Sequence, residues 1–226
     1  MSPPRARARY VAIITDGNGR WAERRGVSVA EGHRAGADVV KARLRDAVEL
    51  GVRELTVYSF STENWSRSPE EVTGLMRMFS ERILGETPEL EQEGVRMRFI
   101  GRRAGVEPEL LEQMRWAEET TAANDRITLF VAFNYGGRAE IVDAARSFTG
   151  RTEDEFRRHL YEPDMHDPDL IIRTSGEQRL SNYLLWQAAY SELVFRDELW
   201  PDFTRATFES ALAEYEARAR RFGGRA

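Results

Sequence analysis

Two kinds of hydrophobic run alternate along the chain. Short stretches at 10–15, 54–59, 95–100, 127–133, 169–174 and 192–195 are dense in β-branched and aromatic residues and read as buried strands. Between them lie longer runs whose apolar positions recur at three- and four-residue spacing. Residues 31–50 carry Ala35, Val39, Val40, Leu44, Ala47 and Val48 in this way, and 69–93 carry Val72, Leu75, Met76, Phe79, Ile83 and Leu84. The second run has a clear start: Ser68 as N-cap, Pro69 at the first helical position and Glu71 where a capping box needs it. Further helices are expected at 108–124, 137–148, 153–159 and 206–221. Strands separated by helices predict crossover units, hence an α/β fold with a mostly parallel central six-stranded sheet flanked by helices. The long aliphatic faces of the two major helices either fill a core or line a lipophilic tunnel against the sheet.

No repeat or linker divides the 226 residues, so 10–226 reads as a single domain behind a flexible basic tail at 1–9. A net charge of -5 leaves no overall cationic field for a nucleic-acid backbone, so any basic patch must be local and suit a small anion. The absence of cysteine excludes disulfides, thiolate metal sites and a cysteine nucleophile. No apolar run approaches the ~20 residues of a membrane span, and the stretch after the tail is too short for a signal peptide. The expectation is a cytoplasmic protein.

In open α/β sheets ligands bind beyond the carboxyl ends of the strands, and these segments are loaded here. The first exit is Asp16-Gly17-Asn18-Gly19-Arg20-Trp21, read as a Gly-rich loop whose backbone N–H groups and arginine suit a phosphate. Asp16 strengthens that reading, because one carboxylate plus substrate phosphates is a common Mg²⁺ environment. The second exit carries Ser61, Asn64, Trp65 and Arg67, and the fourth carries Asn134-Tyr135-Gly136-Gly137-Arg138. The fifth runs from Arg173 through Arg179 and Ser181 to Asn182, with enough donors to clamp a diphosphate. His33, at the start of a long helix, is a general acid, a phosphate donor or a polar cap. There is no HExxH pair and no GxxxxGK[ST] loop, and the only lysine, Lys41, lies in mid-helix.

Taken together, Asp-Gly-Asn-Gly-Arg-Trp at 16–21, Gly-His-Arg-Ala-Gly at 32–36, Phe-Ser-Thr-Glu-Asn-Trp at 60–65, Asn-Tyr-Gly-Gly-Arg at 134–138, Asp-Leu-Ile-Ile-Arg-Thr-Ser-Gly-Glu at 169–177 and Leu-Trp-Pro-Asp-Phe at 199–203 resemble the cis-prenyltransferases, the Z-isoprenyl diphosphate synthases. The resemblance implies a homodimeric Mg²⁺ enzyme that joins an allylic diphosphate to isopentenyl diphosphate, with a hydrophobic tunnel between the sheet and two long helices. By matching position, Asp16 is the metal and diphosphate residue, and Gly17, Asn18, Gly19, Arg20 and His33 hold the allylic diphosphate, with Trp21 beside them. Arg173, Arg179 and Ser181 bind the second diphosphate, and Glu192 helps place the metal. Ser61 and Asn64 lie near the carbon that loses its proton. Trp65 and Glu71 shape a mobile segment and, with Arg67, count among the substrate-binding residues, and a tail containing Arg221 reaches the neighbouring subunit's site. Contact with a membrane is at most peripheral, through the lipid product.

The chain also departs from the family pattern. Tyr10 and Thr15 stand where histidine and methionine are usual, and Val29 replaces an arginine that meets the allylic diphosphate. Ser59 and Phe133 occupy positions where small apolar residues widen the tunnel of long-chain members, and the segment between Arg138 and Asp169 is short. These departures suit either a short Z-prenyl product or an irregular head-to-middle coupling of two dimethylallyl diphosphates to a lavandulyl or cyclolavandulyl skeleton, beside the family's commonest role of polyprenyl diphosphate synthesis. A non-catalytic partner subunit of the same family is the alternative from another class. Retention of Asp16, Asn64, Arg173, Arg179 and Glu192 argues against it.

Overall fold

The strand β1 (Tyr10–Ile14) is buried at every position, as a strand covered on both faces must be. The computed structural model describes residues 7–218. Around β1 assemble β2 (Glu54–Ser61), β3 (Val95–Ile100), β4 (Ile127–Tyr135), β5 (Leu170–Arg173) and β6 (Glu192–Phe195), in the order β3-β4-β2-β1-β5-β6. Every pairing is parallel. The helices are α1 (Asn18–Arg25), α2 (Val29–Glu49), α3 (Pro69–Gln92), α4 (Pro108–Thr120), α5 (Gly137–Ser147), α6 (Glu153–Arg157) and α7 (Arg205–Ala217).

Alternation of side chains splits the core into two layers. On one face Val11, Ile13, Leu55, Val57, Met97, Leu129 and Ile172 meet apolar residues of α2, α3, α4 and α7. The other face holds Tyr10, Ala12, Ile14, Phe130, Tyr135 and Ile171 with Tyr183 and Leu184 of the β5–β6 connection. The expected sheet is thus present, wholly rather than mostly parallel. Because β2 and β5 flank β1 and their connections leave in opposite directions, the crevice for a ligand opens beyond the carboxyl end of β1.

Several boundaries differ from the sequence reading for local reasons. The segment read as a Gly-rich loop is a tight turn at Gly17 followed directly by α1. Helix α2 starts earlier than expected because Ser28 and Glu31 form a reciprocal capping box. In α3 only half of the expected box exists: Ser68 Oγ accepts from Glu71 N at 3.2 Å, while the Glu71 carboxylate turns to Arg67. Leu84, read as a core position of that helix, is 49% exposed, because the buried stripe runs through Leu75, Ile83 and Leu90. At the other end of the chain the packed structure begins before residue 10. Ala8 is buried, and Arg9 N donates to Asp169 Oδ2 at 2.9 Å.

Candidate active site

The exit of β1 is shaped by a residue that only glycine can be. Gly17 has φ 114°, and a Cβ there would lie 2.9 Å from Leu199 Cδ2. The turn sets Asp16 at the mouth of the crevice, where its backbone is pinned: Asp16 N donates to Thr174 Oγ1 at 3.0 Å, and Trp200 N donates to Asp16 O at 3.0 Å. Its carboxylate accepts from Arg173 at 2.9 Å and from Arg20 at 3.3 Å. Burial alone would raise the Asp16 pKa, but hydrogen bonds from Arg173 and Ser175 and the charges of Arg173 and Arg20 outweigh it and hold the group below its ordinary value.

Arg173 is 4% exposed. Besides Asp16, its guanidinium reaches Ser181 Oγ at 2.6 Å and the carbonyl of Arg179, yet its Nε is buried without a partner. Arg20 completes the group by donating to Ser175 Oγ at 2.6 Å. The Arg179 side chain itself points outward and pairs with Glu177. One turn on, Asn182 knits three strand exits together. It donates to Glu63 Oε1 at 2.8 Å, and it accepts from Gly137 N at 2.7 Å and Arg138 N at 2.8 Å. Asn134, Ser175, Ser181 and Asn182 all have positive φ, a conformation that costs non-glycine residues energy and gathers at functional sites.

Behind this polar rim lies an apolar cavity of about 120 Å³ between the sheet and α2 and α3. Thr15, Asn18, His33 and Ser59 line it with Val40, Val57, Leu75, Phe79, Met97 and Leu129. The tunnel reading of the two helices therefore has its cavity. Phe133 is not in the wall; it packs on Phe60 and Phe79, and Phe79 lines the space. Asn18 Oδ1 is buried and unpartnered, while Asn18 Nδ2 sits 3.5 Å from His33 Nδ1. Burial and then the charge of Arg67 lower the His33 pKa against the opposing pull of Glu71, 3.7 Å away. The imidazole is thus neutral at pH 7 and can pass a hydrogen bond without carrying charge.

The other expected site residues distribute unevenly. Ser61 N donates to Asn64 Oδ1 at 3.0 Å in a 3-10 turn, Thr62–Ser66, after β2. Trp65 is anchored there by Nε1 donating to Asn134 Oδ1 at 2.8 Å. Arg67 pairs with Glu71 at 2.8 Å, beside His33. Gly19 is the second residue of α1. Trp21 turns away from the rim: it donates to Asp202 at 2.8 Å and stacks under Arg25, so it docks α1. Glu192 is a clear separation. It opens β6 level with Leu170, and Leu170 is level with Val11, whereas Asp16 follows the far end of β1. A parallel sheet puts strand starts on one edge and strand ends on the other, so one chain does not bring the two carboxylates together. Glu192 instead accepts from Arg218 at 2.8 Å. Arg221 lies outside the described residues.

Sequence reasoning missed Thr174, Ser175 and Asn182 as individual organisers of the rim. The one signal available was the crowding of hydroxyl and amide side chains after β5. Among the described residues no group of three His, Asp or Glu side chains is placed to hold a metal. Asp16 offers one hard carboxylate amid donors for phosphate, a set that fits a magnesium ion entering with a diphosphate rather than one caged by protein.

Residues 14–223 match the family model described as "Putative undecaprenyl diphosphate synthase". The chain belongs to that family, the cis-prenyltransferases. As a cis-prenyltransferase it is a prenyl-transferring enzyme, and its relatives match it almost end to end. It is 51% identical over 224 residues to an isoprenyl transferase of Thermotoga maritima, covering 95% of this chain and 96% of the relative. It is 48% identical to a trans,polycis-polyprenyl diphosphate synthase ((2Z,6E)-farnesyl diphosphate specific) of Thermobifida fusca, covering 96% of this chain and 80% of that one. Among solved structures it is similar to lavandulyl diphosphate synthase from Lavandula x intermedia in complex with dimethylallyl diphosphate. That comparison has a TM-score of 0.92 and 37% identity, and covers 96% and 98% of the two chains.

Proposed function

We propose that this cis-prenyltransferase condenses an allylic diphosphate with isopentenyl diphosphate to give a Z-prenyl diphosphate, with inorganic diphosphate leaving. The observation that carries the reading is the junction at Asp16, where an anion-binding rim of Arg20 and Arg173 opens onto the apolar cavity behind Asn18 and His33. The reaction has the same two ends. The allylic C–O bond breaks to leave a diphosphate, which arginines and the first N–H groups of α1 neutralise. The hydrocarbon cation is kept from water among Val40, Val57, Phe79 and Leu129. A new C–C bond then forms to isopentenyl diphosphate, and the proton lost from it leaves near Ser61 and Asn64. Asp16 would hold Mg²⁺ together with diphosphate oxygens, and the ion would supply charge neutralisation of the leaving group. The reading includes a homodimer and a cytoplasmic enzyme; no described helix is long and apolar enough to cross a membrane.

A second reading is the irregular coupling of two dimethylallyl diphosphates. The modest cavity supports it, since about 120 Å³ is room for roughly one five-carbon unit when a 150 Å³ cavity takes benzene. So does the absence of a guanidinium at Val29. One experiment decides between them: mass spectrometry and NMR of the dephosphorylated products formed with Mg²⁺ from dimethylallyl diphosphate alone and from farnesyl plus isopentenyl diphosphate. Linear Z-products from the mixture alone support regular condensation. A branched or cyclic C10 alcohol from dimethylallyl diphosphate alone supports the irregular reaction, and no product from either overturns both.

A further inference from the structure

The seam between α2 and α3 is crossed by ion pairs along its length. Most lie outside the cavity wall, as Arg45 with Glu93 at 2.6 Å does. Arg82 and Glu86 are different: they stand in the wall itself, among aliphatic neighbours and below the polar mouth. From α3 the Arg82 guanidinium donates to Asp38 of α2 at 2.7 Å, to the backbone carbonyl of Arg34 at 3.3 Å, and to Glu86 at 2.7 Å. One side chain therefore ties α3 to both the backbone and a carboxylate of α2.

Nearer the mouth the seam itself is open. A second cleft of about 360 Å³ opens between the first halves of the two helices, and His33, Leu75 and Met78 line both spaces. Met78 is one turn before Arg82 on the same helix face. With the tie in place the inner cavity has room for roughly one five-carbon unit. A longer hydrocarbon has to widen the inner cavity, and parting α2 from α3 where Arg82 and Glu86 stand in its wall would do so.

We infer that Arg82, clasping Asp38 across the helix seam, sets the length at which the prenyl chain stops growing. The inference rests on the condensation reading above. Prising the seam apart costs Arg82 its contacts with Asp38 and the Arg34 carbonyl, and an apolar chain offers no replacement for either, so elongation halts while the clasp holds. Arg82 acts as a specificity-determining residue and takes no part in bond making.

The test is the product-length distribution, by liquid chromatography and mass spectrometry, of wild type, Arg82→Met, Asp38→Asn and Glu89→Gln with Mg²⁺, an allylic diphosphate and excess isopentenyl diphosphate. Arg82→Met keeps the apolar stem without the fork, and Asp38→Asn changes one exposed carboxylate, which safeguards the fold. Glu89→Gln loosens the same seam through Lys41 and Arg45, outside the cavity wall. The expected result is a shift to longer products, by one or more five-carbon units, in both clasp variants and none in Glu89→Gln. Unchanged or shorter products from the clasp variants, or an equal shift in Glu89→Gln, overturn the inference while leaving condensation standing. No product from wild type with any donor removes the condensation reading and the inference together.

Discussion

Arg173 holds Asp16 from a position almost sealed from water: the guanidinium is 5% exposed at its side chain, the carboxylate 29%, and they meet at 2.9 Å. The cation is committed to the site, whereas its anionic partner faces the crevice. Removing Asp16 therefore costs twice, once in chemistry and once by leaving a buried charge short of a partner. Asp16→Ala is expected to lower turnover assayed with Mg²⁺ present about 10³-fold, and to destabilise the fold by roughly 1–3 kcal/mol, measured by steady-state kinetics and thermal melts.

The same pair fixes a pH dependence. The folded-state pKa of Asp16 is depressed, so its contribution to stability is complete above the unfolded value of about 3.9 and is lost as pH falls through the lower folded value. The melting-temperature gap between wild type and Asp16→Asn should stay constant from about pH 5 to 8 and close below about pH 4.

His33 titrates with the opposite chemistry. Its folded pKa lies below the unfolded value of about 6.5 because the ring is buried. The unfolded chain then takes up the proton first, and stability falls as pH drops below that value. Wild type should lose its advantage over His33→Gln as pH falls below about 6.5, read from paired melts.

Gly36 is a close-approach position. A Cβ there would lie 2.3 Å from Asn18 Oδ1 and 3.0 Å from Trp200 Cδ1, while Trp200 Nε1 donates to the Gly36 carbonyl at 2.8 Å. The Asn18 amide can swing aside, so Gly36→Ala should spare most of the stability yet displace a cavity-lining group. A fall in kcat/KM of about 10–100-fold with a melting-temperature loss of only a few degrees is expected.

Val29 opens α2 and is 44% exposed on the wall of the second cleft, near His33. Installing a guanidinium there adds a charge-assisted donor beside the expected allylic diphosphate. Val29→Arg should lower KM for the allylic substrate by about tenfold and steepen its dependence on salt.

The sheet was legible because its signal is repeated six times: each strand is a short apolar run, and β3 and β6 begin and end where the pattern says. The rim was legible as a set of residue types after strands, which is where Asp16, Arg20, Arg173 and Ser181 assemble. Glu192 shows the boundary of such reading. A strand start and a strand end look alike in a motif, and only register reveals that Glu192 opens β6 on the edge opposite Asp16. Helix α1 was hidden for a different reason, since Gly17 and Gly19 weaken a helical pattern by propensity while the turn at Gly17 is what starts the helix. Leu84 was misjudged because an aliphatic residue on a long helix carries no mark of which side of the stripe it falls.

The two residues that make the rim, Asp16 and Arg173, are 157 positions apart. During synthesis at ~5–20 residues per second, roughly 8–31 s pass between their appearances. For that interval β1 has β2 as a partner on one side and, toward the missing β5, an open row of backbone donors and acceptors. A nascent chain of this enzyme is therefore without its Asp16–Arg173 rim and adhesive along β1. Truncations that stop short of β5 should need a chaperone to stay dispersed, and none should retain a remnant of activity to be rescued.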